Sequence, residues 1–301
     1  EMTNSDWSSD VCSSDLRMYK ILRREDLSSN VVLMDVEAPM VAKKCLPGQF
    51  IILRVNEEGE RIPLTIAHYD REKGVVTIIF QTVGATTMEL AELKEGEYIH
   101  DFVGPLGNPS ETEEFKGKKV AVIGGGLGCA IAWPQAKAIH EAGGTVHMIA
   151  GFRTKEIVML ENEMRASCDE LFMMTDDGTY GEKGFVTNKL ESLIEGGEKY
   201  DAVIAIGPLV MMKFVCVLTK KYNIPTIVSM NPIMIDGTGM CGGCRLTVDG
   251  ETKFACVDGP DFDGHKVDFD ETIRRSRMYS QQEAAAREKH ACRMEGMNNG
   301  K

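Results

Sequence analysis

Lys119-Val-Ala-Val-Ile-Gly124-Gly125-Gly126-Leu-Gly128-Cys-Ala130 decides the reading of the fold. Lys119–Ile123 is a compact apolar run of strand character, glycines fill four of the next five positions, and a helical stretch follows through Ala130–Ala142. A strand that enters glycines and then opens a helix brings free N–H groups and the positive end of a helix dipole to one point. A phosphate-bearing ligand can approach such a backbone closely. A plain strand–helix turn gives the same pattern, so the motif alone does not settle the matter; its surroundings do.

Toward the C-terminus the alternation repeats. Val146–Ala150 precedes a helical pattern over 157–168, Leu171–Thr175 precedes 185–195, and Ala202–Ile206 precedes 209–222; Thr226–Met230 closes the series. Strands alternating with helices predict a parallel doubly wound sheet over residues 116–228. Gly151-Phe-Arg153, Thr175-Asp176-Asp177-Gly178 and Gly207-Pro208-Leu-Val-Met211-Met212 all stand at carboxyl ends of these strands. Ligands bind at that end of an open α/β sheet.

Toward the N-terminus, residues 18–115 are β-rich. Tyr19–Arg24, Val31–Glu37, Phe50–Val55, Pro63–His68, Val75–Gln81 and Tyr98–Val103 are short runs of Val, Ile and Leu separated by Gly, Pro, Asn and Asp. Six such strands predict a small closed barrel, interrupted by one helix at Thr87–Leu93. Arg61-Ile-Pro63-Leu64-Thr65 and Gly84-Ala85-Thr86-Thr87 are its candidate ligand contacts. A flavin dinucleotide needs a cation and backbone amides at its pyrophosphate and a hydroxyl near its ring. Arg61, the 84–87 helix start and Thr65 supply these types. Taken alone, the same residues also read as a surface arginine and a strand threonine.

Residues 229–270 hold Asp236-Gly-Thr-Gly-Met-Cys241-Gly-Gly-Cys244 with Cys256 beyond. The ligand pattern is D-x4-C-x2-C-x11-C. Three sulfurs and one oxygen suit a [2Fe-2S] cluster and also zinc. Glycines 237, 239, 242 and 243 let N–H groups point at cluster sulfides. The segment has too little apolar content for a core of its own, so a metal centre is the expected organiser. Asp249-Gly250 reads as a hairpin turn that returns Cys256 to Cys244. Redox-type zones upstream favour iron–sulfur over zinc. Residues 271–301 form a polar C-terminal helix and tail, exposed or docked on a partner.

Composition sets the outer limits. The chain has 301 residues, 43% hydrophobic and 27% charged, with a net charge of −12. No Lys/Arg block stands out, which argues against nucleic acid as a partner. The longest apolar stretches, 119–133 and 201–212, are broken by Gly or Pro and too short to span a bilayer. Nine cysteines and no signal-peptide pattern favour reduced thiols in a cytoplasmic protein. Cys129 and Cys216 sit in helical patterns and read as buried apolar residues; His68 and His265 read as structural. Ser5–Leu16, SDWSSDVCSSDL, is the run that a common sequencing-library adapter gives when translated. Residues 1–17 are therefore read as a non-native leader rather than a Ser/Asp tail, with Met18 as the native start.

A barrel with R-x-P-L-T, a Gly-rich βα zone ending in G-P-x-x-M-M, and a cysteine loop follow one another in this chain. That order resembles the ferredoxin–NADP reductase superfamily. Within it, Met18 to about His290 is similar to the electron-transfer subunits of dihydroorotate dehydrogenase and the small subunits of NADH-dependent reduced ferredoxin:NADP oxidoreductase, also called sulfide dehydrogenase beta subunits. The first group carries cysteine at all four loop positions and the second carries aspartate first, so Asp236 points to the second. The resemblance implies an oxidoreductase with FAD near Arg61, Pro63, Leu64, Thr65, Gly84, Ala85, Thr86 and Thr87. It implies NAD(H) on Gly124, Gly125, Gly126 and Gly128, along Arg153, Asp176, Asp177, Gly207, Pro208 and Met211. Asp176 and Asp177 would repel a 2′-phosphate, which favours NAD over NADP. Asp236, Cys241, Cys244 and Cys256 are the implied cluster ligands. The implied assembly is a heterodimer with a larger, glutamate-synthase-like subunit carrying a second flavin and [4Fe-4S] clusters, exchanging electrons with ferredoxin. No side-chain acid or base is required, because FAD and the nicotinamide carry the hydride chemistry; Thr65 is the residue placed nearest that step.

Two departures from the superfamily pattern stand out. One extra residue separates Arg61 from Thr65, with Pro63 or Leu64 where an aromatic is usual, and Ile206 stands where a cysteine commonly precedes Gly-Pro.

Overall fold

The computed structural model describes residues 19–298. Residues 1–17, read from the sequence as a leader, and Met18 lie outside the described residues, as do 299–301.

The first layer is the barrel: β1 (Tyr19–Ser28), β2 (Val31–Glu37), α1 (Pro39–Ala42), β3 (Phe50–Arg54), β4 (Ile62–Asp70), β5 (Val75–Gln81), α2 (Ala85–Glu92), β6 (Tyr98–Ile99) and β7 (Asp101–Leu106). All pairings are antiparallel, in the order β6-β1-β2-β5-β4-β3-β7. The two end strands are neighbours in sequence, broken only at His100. The run 98–106 therefore bonds β1 at one end (Tyr19 opposite Ile99) and β3 at the other (Arg54 opposite Asp101). Seven strands thus behave as the six of the sequence pattern, because one chain segment serves both edges.

Strand periodicity explains how the barrel meets its neighbour. Along β2, Val32, Met34 and Val36 point inward with Ile51, Ile78 and Phe80. The alternate Val31 and Leu33 point outward with Ala67 of β4 and Ile79 of β5, and share a core with Val122, Cys129 and Ala130 of the next layer. Apolar residues on both faces of one strand mean that both faces are covered.

That next layer contains β8 (Lys119–Gly125), α3 (Gly128–Glu141), β9 (Thr145–Phe152), α4 (Glu161–Arg165), β10 (Glu170–Thr175), β11 (Glu182–Lys183), α5 (Val186–Glu195), β12 (Ala202–Ile206), α6 (Leu209–Lys221) and β13 (Thr226–Ser229). Its strand order is β11-β10-β9-β8-β12-β13, parallel throughout. The chain leaves β8 toward β9 on one side and returns to β12 on the other. The crevice at the end of β8 is thus the topological switch point where such sheets bind ligands.

The remaining elements are β14 (Arg245–Val248), β15 (Glu251–Phe254), β16 (Asp261–Asp263), α7 (Phe269–Ser276) and α8 (Ser280–Asn298). β14 and β15 form a hairpin through Asp249 (φ +54) and Gly250 (φ +78), the left-handed pair a two-residue turn needs. β16 does not stay with them: it joins the parallel sheet as an antiparallel edge on β13, with Ser229 opposite Asp261. Cys244, Leu246, Val248 and Cys256 share one core with Phe50 and Ile52 of β3 and with Val203, Val215 and Val228. The segment too poor in apolar residues to fold alone borrows surface from both neighbours. α8 lies along α2, where Arg287 donates to the Val83 carbonyl and His290 meets Glu92 at 3.1 Å.

Candidate functional site

One cleft of about 1280 Å³ opens between barrel and sheet. The barrel contributes Phe50, Pro63, Thr65 and Val83. The sheet contributes Gly125, Gly126, Gly128, Arg153, Asp176, Gly207, Pro208 and Met211, all at carboxyl ends of strands. Met234 and Pro260, from the C-terminal segment, close one side. Ten of the sequence-derived residues thus meet in a single wall. Arg61, Leu64, Gly84, Ala85, Thr86, Thr87, Gly124 and Asp177 lie outside it.

The glycines of the β8–α3 turn have separate tasks. A Cβ on Gly124 would stand 2.7 Å from the Cys129 Cα, and one on Gly128 would stand 2.2 Å from the Ile206 carbonyl oxygen. Both let α3 start flush against the sheet. A Cβ on Gly125 would meet the Met211 sulfur at 2.4 Å. Gly126 differs: its φ is +56 and a Cβ there would meet nothing within 4 Å. It borders open cleft and leaves room for a phosphate to approach the helix start, although its own N–H is spent on the Gly151 carbonyl at 2.8 Å. Cys129 is fully buried, and burial pushes its thiol up to about 12; it is an inert packing residue.

The barrel residues fit a dinucleotide in part. Arg61 is exposed and forms no ion pair among the described residues, which leaves its charge available to a pyrophosphate. A Cβ on Gly84 would also meet nothing within 4 Å, so the start of α2 is sterically open. The Thr87 hydroxyl is committed to its own helix: it accepts from the backbone N–H of Val83 and Gly84 and donates to the Gly84 carbonyl. Thr86 is buried. The first-turn amides of Ala85, Thr86 and Thr87, rather than these hydroxyls or the Gly84 N–H, are the groups this helix start can offer a phosphate.

On the sheet side, Arg153 and Asp176 are exposed at the cleft rim. Asp177 turns away into its own loop, where Oδ1 accepts from the Thr179 hydroxyl at 2.7 Å and its N–H at 3.0 Å. Those bonds hold its carboxyl below the usual range. Sequence spacing could not separate the two aspartates, because adjacent residues in a turn diverge. The His68 ring lies tilted against Trp133 of α3 at a centroid distance of 6.0 Å, and His265 meets the Thr219 hydroxyl of α6 at 3.0 Å.

In the cysteine loop, the Cys244 and Cys256 sulfurs stand 3.2 Å apart and both residues are buried. Burial, and then the hydrogen bond with Cys244, push the Cys256 thiol up to about 12. Cys241 is exposed, and its sulfur accepts from the Gly243 N–H at 3.4 Å. The Asp236 carboxylate accepts from the N–H of Thr238 at 2.9 Å and of Cys241 at 2.6 Å. Its carboxyl is held low, chiefly by the Thr238 bond. Among the described residues no three His, Cys, Asp or Glu side chains converge as a metal cage. Two of the donors are adjacent and two are carried by a backbone with left-handed glycines at 237, 239 and 242. A soft sulfur set with one carboxylate fits an iron–sulfur cluster in its donor chemistry.

Phe50, Val83, Met234 and Pro260 escaped sequence reasoning. Each reaches the cleft through tertiary packing and belongs to no local motif.

Barrel, parallel sheet and cysteine loop in this order, around a cleft at the switch point, define a ferredoxin-reductase-type flavoprotein with an added iron–sulfur segment. Residues 231–268 match the family described as the iron-sulfur cluster binding domain of dihydroorotate dehydrogenase B. A Thermotoga maritima protein named as a homolog of the dihydroorotate dehydrogenase B (NAD(+)) electron transfer subunit is 44% identical over 272 residues, 90% of this chain and 95% of that protein. A Clostridium beijerinckii protein known only by its place in the adh 3′ region is 53% identical over 275 residues, covering 89% and 93% of the two chains. A chain of the solved NADH-dependent reduced ferredoxin-NADP oxidoreductase, studied for flavin-based electron bifurcation, superposes with a TM-score of 0.85 at 43% identity; the match covers 90% of this chain and 97% of that one. The chain belongs to the family of dihydroorotate dehydrogenase B electron transfer subunits and their homologues.

Proposed function

We propose that this chain is the electron-transfer subunit of a ferredoxin:NADP oxidoreductase-type complex, exchanging a hydride with NAD(H) and passing single electrons to a larger subunit. The observation that carries this reading is spatial. One cleft joins the barrel's Pro63 and Thr65 to the sheet's Gly125–Gly128 turn, and the cysteine loop is built onto the same barrel. A Cβ on Gly237 of that loop would stand 2.7 Å from Leu106 and 3.0 Å from Ile52.

Bound FAD and a [2Fe-2S] cluster would supply hydride and one-electron chemistry. The residues supply position. Gly126 admits the nicotinamide dinucleotide's phosphates to the backbone, and Arg153 offsets their charge. Arg61 and the open start of α2 do the same for the flavin's pyrophosphate. Pro63 and Thr65 form the cleft wall that excludes water from the reacting rings. Asp236, Cys241, Cys244 and Cys256 hold the cluster, and the exposed Ile235, Met240 and Val257 around them offer an apolar face to a partner. That partner is a glutamate-synthase-like flavoprotein with [4Fe-4S] clusters, in the cytoplasm. Among the described residues no helix is long and apolar enough to cross a membrane.

A second reading, service to a dihydroorotate dehydrogenase, draws on the relatives' names. Asp236 in the first loop position disfavours it, and the catalytic subunit that co-purifies with the chain decides between the two. A third, a non-catalytic redox-sensing or assembly subunit, predicts no turnover.

With cofactors restored, NADH should reduce a one-electron dye. Cys244→Ala should lower that rate at least about tenfold while NADH still bleaches the flavin. Equal rates for both proteins would remove the cluster from the electron path.

A further inference from the structure

Asp261 stands where three parts of the chain meet. It lies on β16, opposite Ser229 of β13. Its Oδ2 accepts from the Ser110 hydroxyl at 2.5 Å and from the Gln135 Nε2 of α3 at 3.5 Å. The neighbouring segments are tied in too, since the Asn108 N–H donates to the Gly259 carbonyl at 2.7 Å and the Asn108 Nδ2 to the Val257 carbonyl at 3.1 Å. Pro260 and Ser229, beside this junction, line the cleft.

Two oxygens there have no hydrogen-bond partner among the described residues: Asp261 Oδ1 and Gln135 Oε1, both without solvent access. Gln135 is 0% exposed. Two orphaned acceptors in one buried cluster are costly, because each lacks the donor that water would give it. The facing groups are the Ser110 hydroxyl from the strand-end segment, the Gln135 amide from α3 and Ser229 from β13. None is charged, and Asp261 forms no ion pair among the described residues; the hydrogen bonds from Ser110, Ser229 and Gln135 favour the ionised form, but burial outweighs them.

We propose that Asp261 is a neutral carboxylic acid whose proton, on Oδ1, is given to Gln135 Oε1, joining barrel, helix α3 and cluster segment. One proton turns an orphaned acceptor into a donor and satisfies both atoms. Burial raises the affinity of this carboxyl for that proton. Asp261 is then a positioning residue: it fixes Pro260 and Ser229 in the cleft wall without placing a charge beside the redox path. The part concerning the cleft rests on the function proposed above; the protonation does not.

Infrared spectra of the full chain test the protonation directly. Wild type should show a protonated-carboxyl C=O band at pH 7 that Asp261→Asn lacks and that Gln135→Met shifts. Stability against pH gives a second reading. The folded-state pKa lies above the unfolded value of about 3.9. The stabilising contribution is therefore full below pH 4 and is lost as pH rises toward the folded pKa. Asp261→Asn, which keeps a donor there without a titrating proton, should gain on wild type across that range. For the positioning role, Asp261→Asn should keep the NADH KM of the cofactor-loaded protein within about twofold, whereas Asp261→Ala should raise it about tenfold. Absence of the carboxyl band, with parallel pH profiles for wild type and Asp261→Asn, would overturn the proposal in favour of an ionised group bridged by water or a cation. If the band is present but the KM values coincide, the positioning role is wrong.

Discussion

Gly126 and Gly128 sit two residues apart and answer to different constraints. Gly128 is required by close packing, since a Cβ would stand 2.2 Å from the Ile206 carbonyl oxygen; Gly126 faces open cleft. Gly128→Ala should therefore destabilise the fold by about 1–3 kcal/mol, the usual range for overpacking. Gly126→Asn places a residue that tolerates left-handed backbone at φ +56. It should leave stability within about 1 kcal/mol and raise the NADH KM about tenfold. Thermal unfolding and steady-state titration separate the two, and an exchange of phenotypes would refute the assignment. The sequence showed that the turn could take a phosphate, but the division of labour among its glycines needs the neighbours that only the fold supplies. Asp236 shows the same boundary. Spacing named four candidate donors in the loop, yet whether the carboxylate faces sulfur or backbone N–H is decided by loop conformation, and here it faces N–H.

Among the elements, legibility followed length and periodicity. The barrel strands and the helices α3, α5 and α6 were visible because each carries several turns or pleats of apolar pattern. The helix expected over 157–168 is shorter, with a 3-10 turn at Lys155–Ile157 and α4 confined to Glu161–Arg165; the positive φ of Leu160 divides them. α1, β11 and β16 are two to four residues long, too short for a period to register. β16 also begins and ends with aspartate, and its strand character comes from pairing with β13. The β14–β15 hairpin is the opposite case, because Asp249-Gly250 announces its turn. That turn sets the return of Cys256 to Cys244. Gly250→Val should cost about 1–2 kcal/mol, the penalty of a left-handed residue with a Cβ, and should lower iron retained per chain after anaerobic desalting. Unchanged iron content together with the expected loss of stability would show that the hairpin does not hold the cysteines in register.

For the whole molecule, the main departure from the sequence picture is how its parts share cores. Residues 229–270 read as a separate small segment organised by metal. In the structure its apolar side chains enter a core with β3 and with α6, and its last strand extends the parallel sheet. Linear sequence cannot show this, because the borrowed surface lies on other elements. The consequence is functional. Cleft and cysteine loop both pack on barrel strand β3, so the proposed nicotinamide and iron–sulfur sites are held in fixed relation without a flexible linker, as short-range electron exchange requires. The most direct test is an anaerobic NADH titration of the purified, cofactor-loaded chain, followed by visible and EPR spectra. Flavin absorbance should bleach with NADH, and a [2Fe-2S] EPR signal should appear in the same titration. A colourless protein that binds zinc, or a cluster that stays oxidised while the flavin is reduced, would contradict the proposed electron path.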